Sequence, residues 1–164
     1  FVCTGNHYRS RLAEALYLWH ARQLGLERTA TSAGLQPVPG RSAPSPIVLQ
    51  YLREAGVPEE FASSDAPRAA TADLLLESQL VILLNQPEHV PMLETRFGWV
   101  ARRLRAENRL RAWHVGDAPA REGALGRLMR VATPAHTQPP ESATEHIHFG
   151  VRALLAEHEK PNPA

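Results

Sequence analysis

The 164-residue chain is poor in cysteine, lysine and aspartate: it holds Cys3, Lys160, and only Asp65, Asp73 and Asp117. A single thiol excludes an internal disulfide framework and a multi-cysteine zinc site. Cys3 is left as an inert buried side chain, a surface thiol or a reactive nucleophile. No apolar run approaches the roughly 20 residues of a membrane helix, so no span is expected. A basic-then-apolar leader is also lacking, and the expected location is cytoplasmic. Neither sign of charge dominates. Eighteen Lys and Arg face 17 Asp and Glu, net +1, so bulk electrostatics supplies no reason for nucleic-acid or membrane binding. The basic residues are almost all arginine, which together with abundant Ala, Leu and Pro reads as a compositional bias rather than a binding signal. The shortage of aspartate shortens the list of candidate acids.

What is present suits one folded domain. Hydrophobic residues are 43% and charged residues 21%, which opposes disorder. Phe1-Val2 is too short for a strand of the usual length of about 5–6 residues, so upstream residues are expected to complete a first strand. Leu12, Ala15, Leu16 and Trp19 recur at helical spacing between Ser10 and Leu24. Residues 29–33 read as a strand, 36–46 as a loop, 47–55 and 71–78 as helices. Leu80 to Leu84 is apolar on both faces, as in a buried parallel strand. A helix follows over 88–105, with Pro91 near its first turn and Gly98 as a break, then a strand over 111–115. A proline-rich connection at 133–140 leads to a helix over 142–158. Trp19, Trp99 and Trp113 are expected in the core. The alternation predicts an α/β fold: a single-domain, three-layer architecture with a four-stranded parallel sheet and helices on both faces. The domain is expected over 1–159, with a frayed tail at 160–164.

In such sheets ligands bind beyond the carboxyl ends of the strands. Cys3-Thr4-Gly5-Asn6-His7-Tyr8-Arg9-Ser10 lies at such an end and leads into a helix. A loop there can wrap backbone N–H groups around a tetrahedral dianion, aided by the helix N-terminus. Gly5 and Asn6 tolerate left-handed backbone angles. Arg9 can hold two phosphate oxygens through its planar fork. The same field favours a cysteine thiolate, and Ser10 can hydrogen-bond to it.

Cys-x5-Arg-Ser with Gly-Asn inside, then Ala13-Glu14-Ala15, Ser32-Ala33-Gly34 and Gly40-Arg41-Ser42, resembles the low-molecular-weight protein tyrosine phosphatases. The family's late catalytic aspartate corresponds to Asp117. The resemblance implies Cys3, Arg9 and Asp117 as catalytic residues and Thr4, Gly5, Asn6, His7, Tyr8 and Arg9 as the phosphate cradle, supported by Asn6 and Ser10. It implies a phosphomonoester hydrolase, with phosphotyrosine as the leading substrate, working through a cysteinyl-phosphate. Neither metal nor cofactor is implied. The implied partner is a phosphorylated protein or a small aryl phosphate. The oligomeric state is not implied.

The chain departs from the family in several places. Tyr8 stands where many members have a second cysteine, and Arg11 where proline is frequent. Asp117-Ala118-Pro119 replaces Asp-Pro-Tyr, removing an aromatic wall, with Tyr8 or His7 as substitutes at the mouth. The family histidine that supports the loop has no match, and Ser63 or Ser64 stands nearest it. Two rival readings follow: a single-cysteine arsenate reductase dependent on a small thiol, and a non-catalytic phosphate-binding module. Elsewhere, His146 and His148 are two apart on a helix and do not form a metal pair. Glu88-His89 lacks a second histidine at ligand spacing. Asp73 reads as a first-turn helix residue and Asp65 as a loop residue, and the arginines from Arg102 to Arg111 as a solvated face.

Overall fold

The computed structural model describes residues 1–37, 40, 44–116 and 142–158. Asp117, Ala118, Pro119, Arg41, Ser42, the 133–140 connection and the 160–164 tail lie outside the described residues. The chain order is β1 (Val2–Cys3), α1 (Arg9–Gln23), β2 (Ala33–Gly34), α2 (Pro46–Glu54), a 3-10 turn (Glu59–Phe61), α3 (Ala72–Glu77), β3 (Val81–Leu83), α4 (Gln86–Ala106), β4 (Leu110–Ala112) and α5 (Ala143–His158). The strands form one sheet in the order β2-β1-β3-β4, and every pairing between them is parallel. No described helix is long and apolar enough to cross a membrane.

Alternation along the strands separates two cores. Cys3, Ile82 and Leu84 face the layer of α1, α2 and α5, where they join Leu12, Leu16, Leu52, Ile147 and Val151. Val2, Val81 and Leu83 face the layer of α3 and α4, with Leu75, Leu93, Val100 and Leu104. A strand apolar on both faces is what a sheet covered twice demands. After β1 the chain passes through α1 to β2 on one side. The later strands lie on the other. The strand order therefore reverses at β1, and the crevice at its carboxyl end is the place where this class of sheet binds ligands.

Four expectations change in detail. Of the 29–33 segment only Ala33 is strand, continued by Gly34, because the ladder runs alongside the two residues of β1: Val2 pairs with Ala33 and Cys3 with Gly34. Helix α4 starts at Gln86, two residues before the expected start, with Pro91 just past its first turn. The break expected at Gly98 falls one residue earlier, at Phe97 (φ −137°, ψ 41°). Trp99 is 54% exposed and is not a core residue, whereas Trp19 and Trp113 pack against the α1/α5 core.

Candidate active site

The segment between β1 and α1 turns back on itself at Asn6, whose φ of 50° is left-handed. Asparagine is among the few residues with a side chain that adopt this region readily. The turn carries the Asn6 amide to 3.3 Å from Cys3 Sγ. Ser10 Oγ lies 3.0 Å from the same sulfur. Cys3 is the one cysteine of the chain and is buried. Its sulfur thus sits at the base of the loop between an amide hydrogen and a hydroxyl.

Asn6 is fully buried, and its side chain is bonded at both ends. Nδ2 donates to Ser10 Oγ at 3.0 Å and to Ser32 Oγ at 2.8 Å. Oδ1 accepts the Arg68 amide at 2.7 Å. Ser32 in turn donates to Glu14. Ser63 donates to Asp65 at 3.2 Å, while Ser32 and the Arg68 backbone carry Asn6. Arg11 is also buried. It donates to the Asn6 carbonyl at 3.4 Å and to the carbonyls of Asp65 and Ala66 at 3.1 and 2.9 Å. The arginine at the frequent proline position therefore clamps the loop to the 65–68 segment.

Gly34 permits this arrangement. A β-carbon there would stand 2.8 Å from the Thr4 carbonyl oxygen and 2.9 Å from the Asn6 nitrogen. Both obstacles are backbone, which cannot swing aside as a side chain can. The loop is further fastened by Leu35 N to the Cys3 carbonyl at 2.8 Å, Gln36 N to the Thr4 carbonyl at 2.7 Å and Ser45 N to the His7 carbonyl at 3.1 Å. Tyr8 accepts the Leu12 amide at 2.9 Å through its carbonyl as α1 begins. Tyr8 is half-buried and packs against the α1/α5 core.

Arg9, the first residue of α1, is 6% exposed. Its guanidinium meets Glu88 through two bonds, Nη1 to Oε2 at 2.8 Å and Nη2 to Oε1 at 3.1 Å. Thr4 Oγ1 also donates to Glu88. Burial pushes the Glu88 pKa up. Hydrogen bonds from Arg9 and Thr4, with the charges of Arg9 and His89, outweigh burial and hold it at about 2. Arg9 Nη1 also reaches the Val115 carbonyl at 3.5 Å, two residues before Asp117 in sequence.

Cys3, Asn6, Arg9 and Ser10 are therefore brought together at the carboxyl end of β1. Glu88 was not expected there. The available signal was topological: a carboxylate in the first turn after a buried strand that neighbours β1 ends up beside β1's loop. Among the described residues no group of three or more His, Cys, Asp or Glu side chains could hold a metal ion. One loop thus carries a cysteine sulfur at its base, a guanidinium held by a carboxylate and the start of a helix. That is a chemistry for tetrahedral anions.

The chain is 33% identical over 98 residues to the protein-arginine-phosphatase of Bacillus subtilis (strain 168), covering 60% of this chain and 61% of that protein. The match thus spans less than two thirds of the relative's length. In fold it is similar to a YwlE mutant from Bacillus subtilis, with TM-score 0.67 and 21% identity over 98% of this chain and 97% of that one. It is likewise similar to a low molecular weight phosphotyrosine phosphatase from Vibrio cholerae O395, with TM-score 0.69 and 21% identity over 97% and 94% of the two chains. The family model for low molecular weight phosphotyrosine protein phosphatases matches residues 1–116, and the chain belongs to that family.

Proposed function

We propose that the chain is a protein phosphatase that hydrolyses phosphorylated side chains in two displacements at Cys3. The observation that supports this most directly is the Cys3 sulfur held 3.3 Å from the Asn6 amide and 3.0 Å from Ser10 Oγ, in a loop that ends at Arg9. In the first step the thiolate attacks phosphorus and the bond to the leaving group breaks. Asp117 gives its proton to the departing atom. In the second, water attacks the cysteinyl-phosphate, Asp117 takes a proton from it, and the S–P bond breaks to release phosphate. Arg9 and the loop amides from Thr4 to Arg9 hold the equatorial oxygens as charge spreads over them. Ser10 donates to the sulfur as it leaves. Asn6 acts through the loop's shape. A cytoplasmic setting suits the reading, since it keeps a lone thiol reduced.

The leading substrate is phosphotyrosine in a protein, with small aryl phosphates as surrogates. One observation favours a second substrate class. The curated relative is named a protein-arginine-phosphatase, and cleavage of a P–N bond needs the same nucleophile and the same proton donor. Relative kcat/KM on matched phosphotyrosyl and phosphoarginyl peptides decides between them.

The reading is tested with para-nitrophenyl phosphate and no added thiol. Wild type is expected to turn over and Cys3→Ser to lose about 10³-fold or more while still binding phosphate. Arsenate reduction seen only with a small thiol present supports the reductase instead. Phosphate binding without turnover at any pH between about 5 and 7 supports a binding module.

A further inference from the structure

A buried guanidinium is costly unless a counter-charge and hydrogen bonds hold it. For Arg9 these come from another element, the first turn of α4. Glu88 takes Nη1 on Oε2 at 2.8 Å and Nη2 on Oε1 at 3.1 Å. Oε1 also accepts from Thr4 Oγ1. Oε2 also accepts from Asn85 Nδ2 at 3.3 Å and lies 3.5 Å from His89 Nε2. Thr4 and Arg9 are the first and last residues of the cradle. One carboxylate therefore ties both ends of the loop to the helix that follows β3.

We propose that Glu88 is the positioning residue of Arg9: by holding the Nη1–Nη2 end of the guanidinium and the Thr4 hydroxyl together, it sets the plane in which Arg9 offers its Nε–Nη2 side to phosphate. The proposal rests on the reading of the loop as a phosphate site. Guanidinium has five donors in one plane, so one edge can serve a carboxylate while another serves an oxyanion. Glu88 engages the end of the fork. An anion bound beside Cys3 takes the side.

A purely electrostatic or competing Glu88 makes the opposite prediction. Its negative charge lowers the positive potential of the loop, so removing it would tighten dianion binding. Removing a positioning residue loosens binding and slows chemistry, because a transition-state contact displaced by about 1 Å costs on the order of 100-fold.

The test uses the whole chain and two variants. Glu88→Gln keeps the side chain's size and the Thr4 contact but loses the charge. Inorganic phosphate is expected to bind about tenfold more weakly, and kcat on para-nitrophenyl phosphate to fall about tenfold to 100-fold, with the melting temperature lowered as well because buried Arg9 loses its counter-charge. Adding Asn85→Asp to Glu88→Gln supplies a new carboxylate from the residue that already reaches Oε2, and it is expected to recover part of both losses. A merely structural role would change stability without that recovery. Equal or tighter phosphate binding in Glu88→Gln, with kcat/KM unchanged or raised, overturns the proposal. Phosphate binding reads Glu88 even if the wild type proves not to be a hydrolase. A wild type that turns over normally while Glu88→Gln is unaffected sinks the positioning role alone, and one that binds no phosphate sinks both readings.

Discussion

At the carboxyl end of the sheet, Asn6, Arg9, Ser10, Arg11 and Ser32 are buried and bonded to one another, to backbone or to carboxylates. At the seam between α1 and α5, His20 and His148 meet Nε2 to Nε2 at 2.7 Å, and Tyr51 OH lies 3.0 Å from His148 Nδ1. Both places take polar groups out of water. At the loop, opposite charges and backbone amides meet, and Glu88 stays ionised to about pH 2. At the seam, two like groups share a hydrogen bond that requires a neutral ring. Burial, with His148 and Arg152 nearby, lowers the His20 pKa to about 4. Burial and Arg152 lower that of His148. A polar cluster built on complementary charge tolerates acid, whereas one built on two imidazoles does not.

The comparison breaks most easily at the loop. Gly34→Ala drives a β-carbon into the Thr4 carbonyl and the Asn6 nitrogen. The loop must move, and kcat/KM is expected to fall about 100-fold, with a stability loss of about 1–3 kcal/mol on thermal melting. Asn6→Ala leaves the Arg68 amide and Ser32 without their partner and puts alanine at a left-handed φ. Denaturant titration should show a loss of about 2–4 kcal/mol, with activity reduced in step as Cys3 loses its support.

The smallest effect sharpens the comparison by pH. His20 has a folded pKa of about 4 against an ordinary 6.5. Its contribution is therefore complete above pH 6.5 and is lost as pH falls toward 4. Glu88, at about 2 against 4.5, loses its contribution only between pH 4.5 and 2. Melting temperature should fall between pH 7 and 5 in the wild type and in Glu88→Gln, and fall less in His20→Gln. Equal falls in wild type and His20→Gln would remove the seam as the acid-sensitive element.

Much of the site was legible as a contiguous string. Cys3, Asn6, Arg9 and Ser10 lie within eight residues, so a strand end and a helix start suffice to bring them together. The two-faced apolar run at Leu80–Leu84 likewise pointed to a strand in a sheet covered on both sides. Glu88, Ser32 and the Arg68 amide were not legible. They reach the loop from β2's side and β3's side, at separations of 79, 26 and 62 residues, and local pattern carries no distance information on that scale. A tryptophan on a helix is expected inward, but the position of Trp99 on α4 faces outward, and residue type alone does not say which face of a helix is covered.

The amino-acid order alone determined the alternating elements, the apolar faces and the cysteine-to-arginine spacing, because each depends on neighbours a few residues apart. Only the tertiary structure decided which carboxylate faces Arg9, which groups fasten Asn6 and that His20 meets His148. Those choices follow from the strand order β2-β1-β3-β4 and from helices laid across each other. Both are set by the burial of whole faces rather than by any local run of residues.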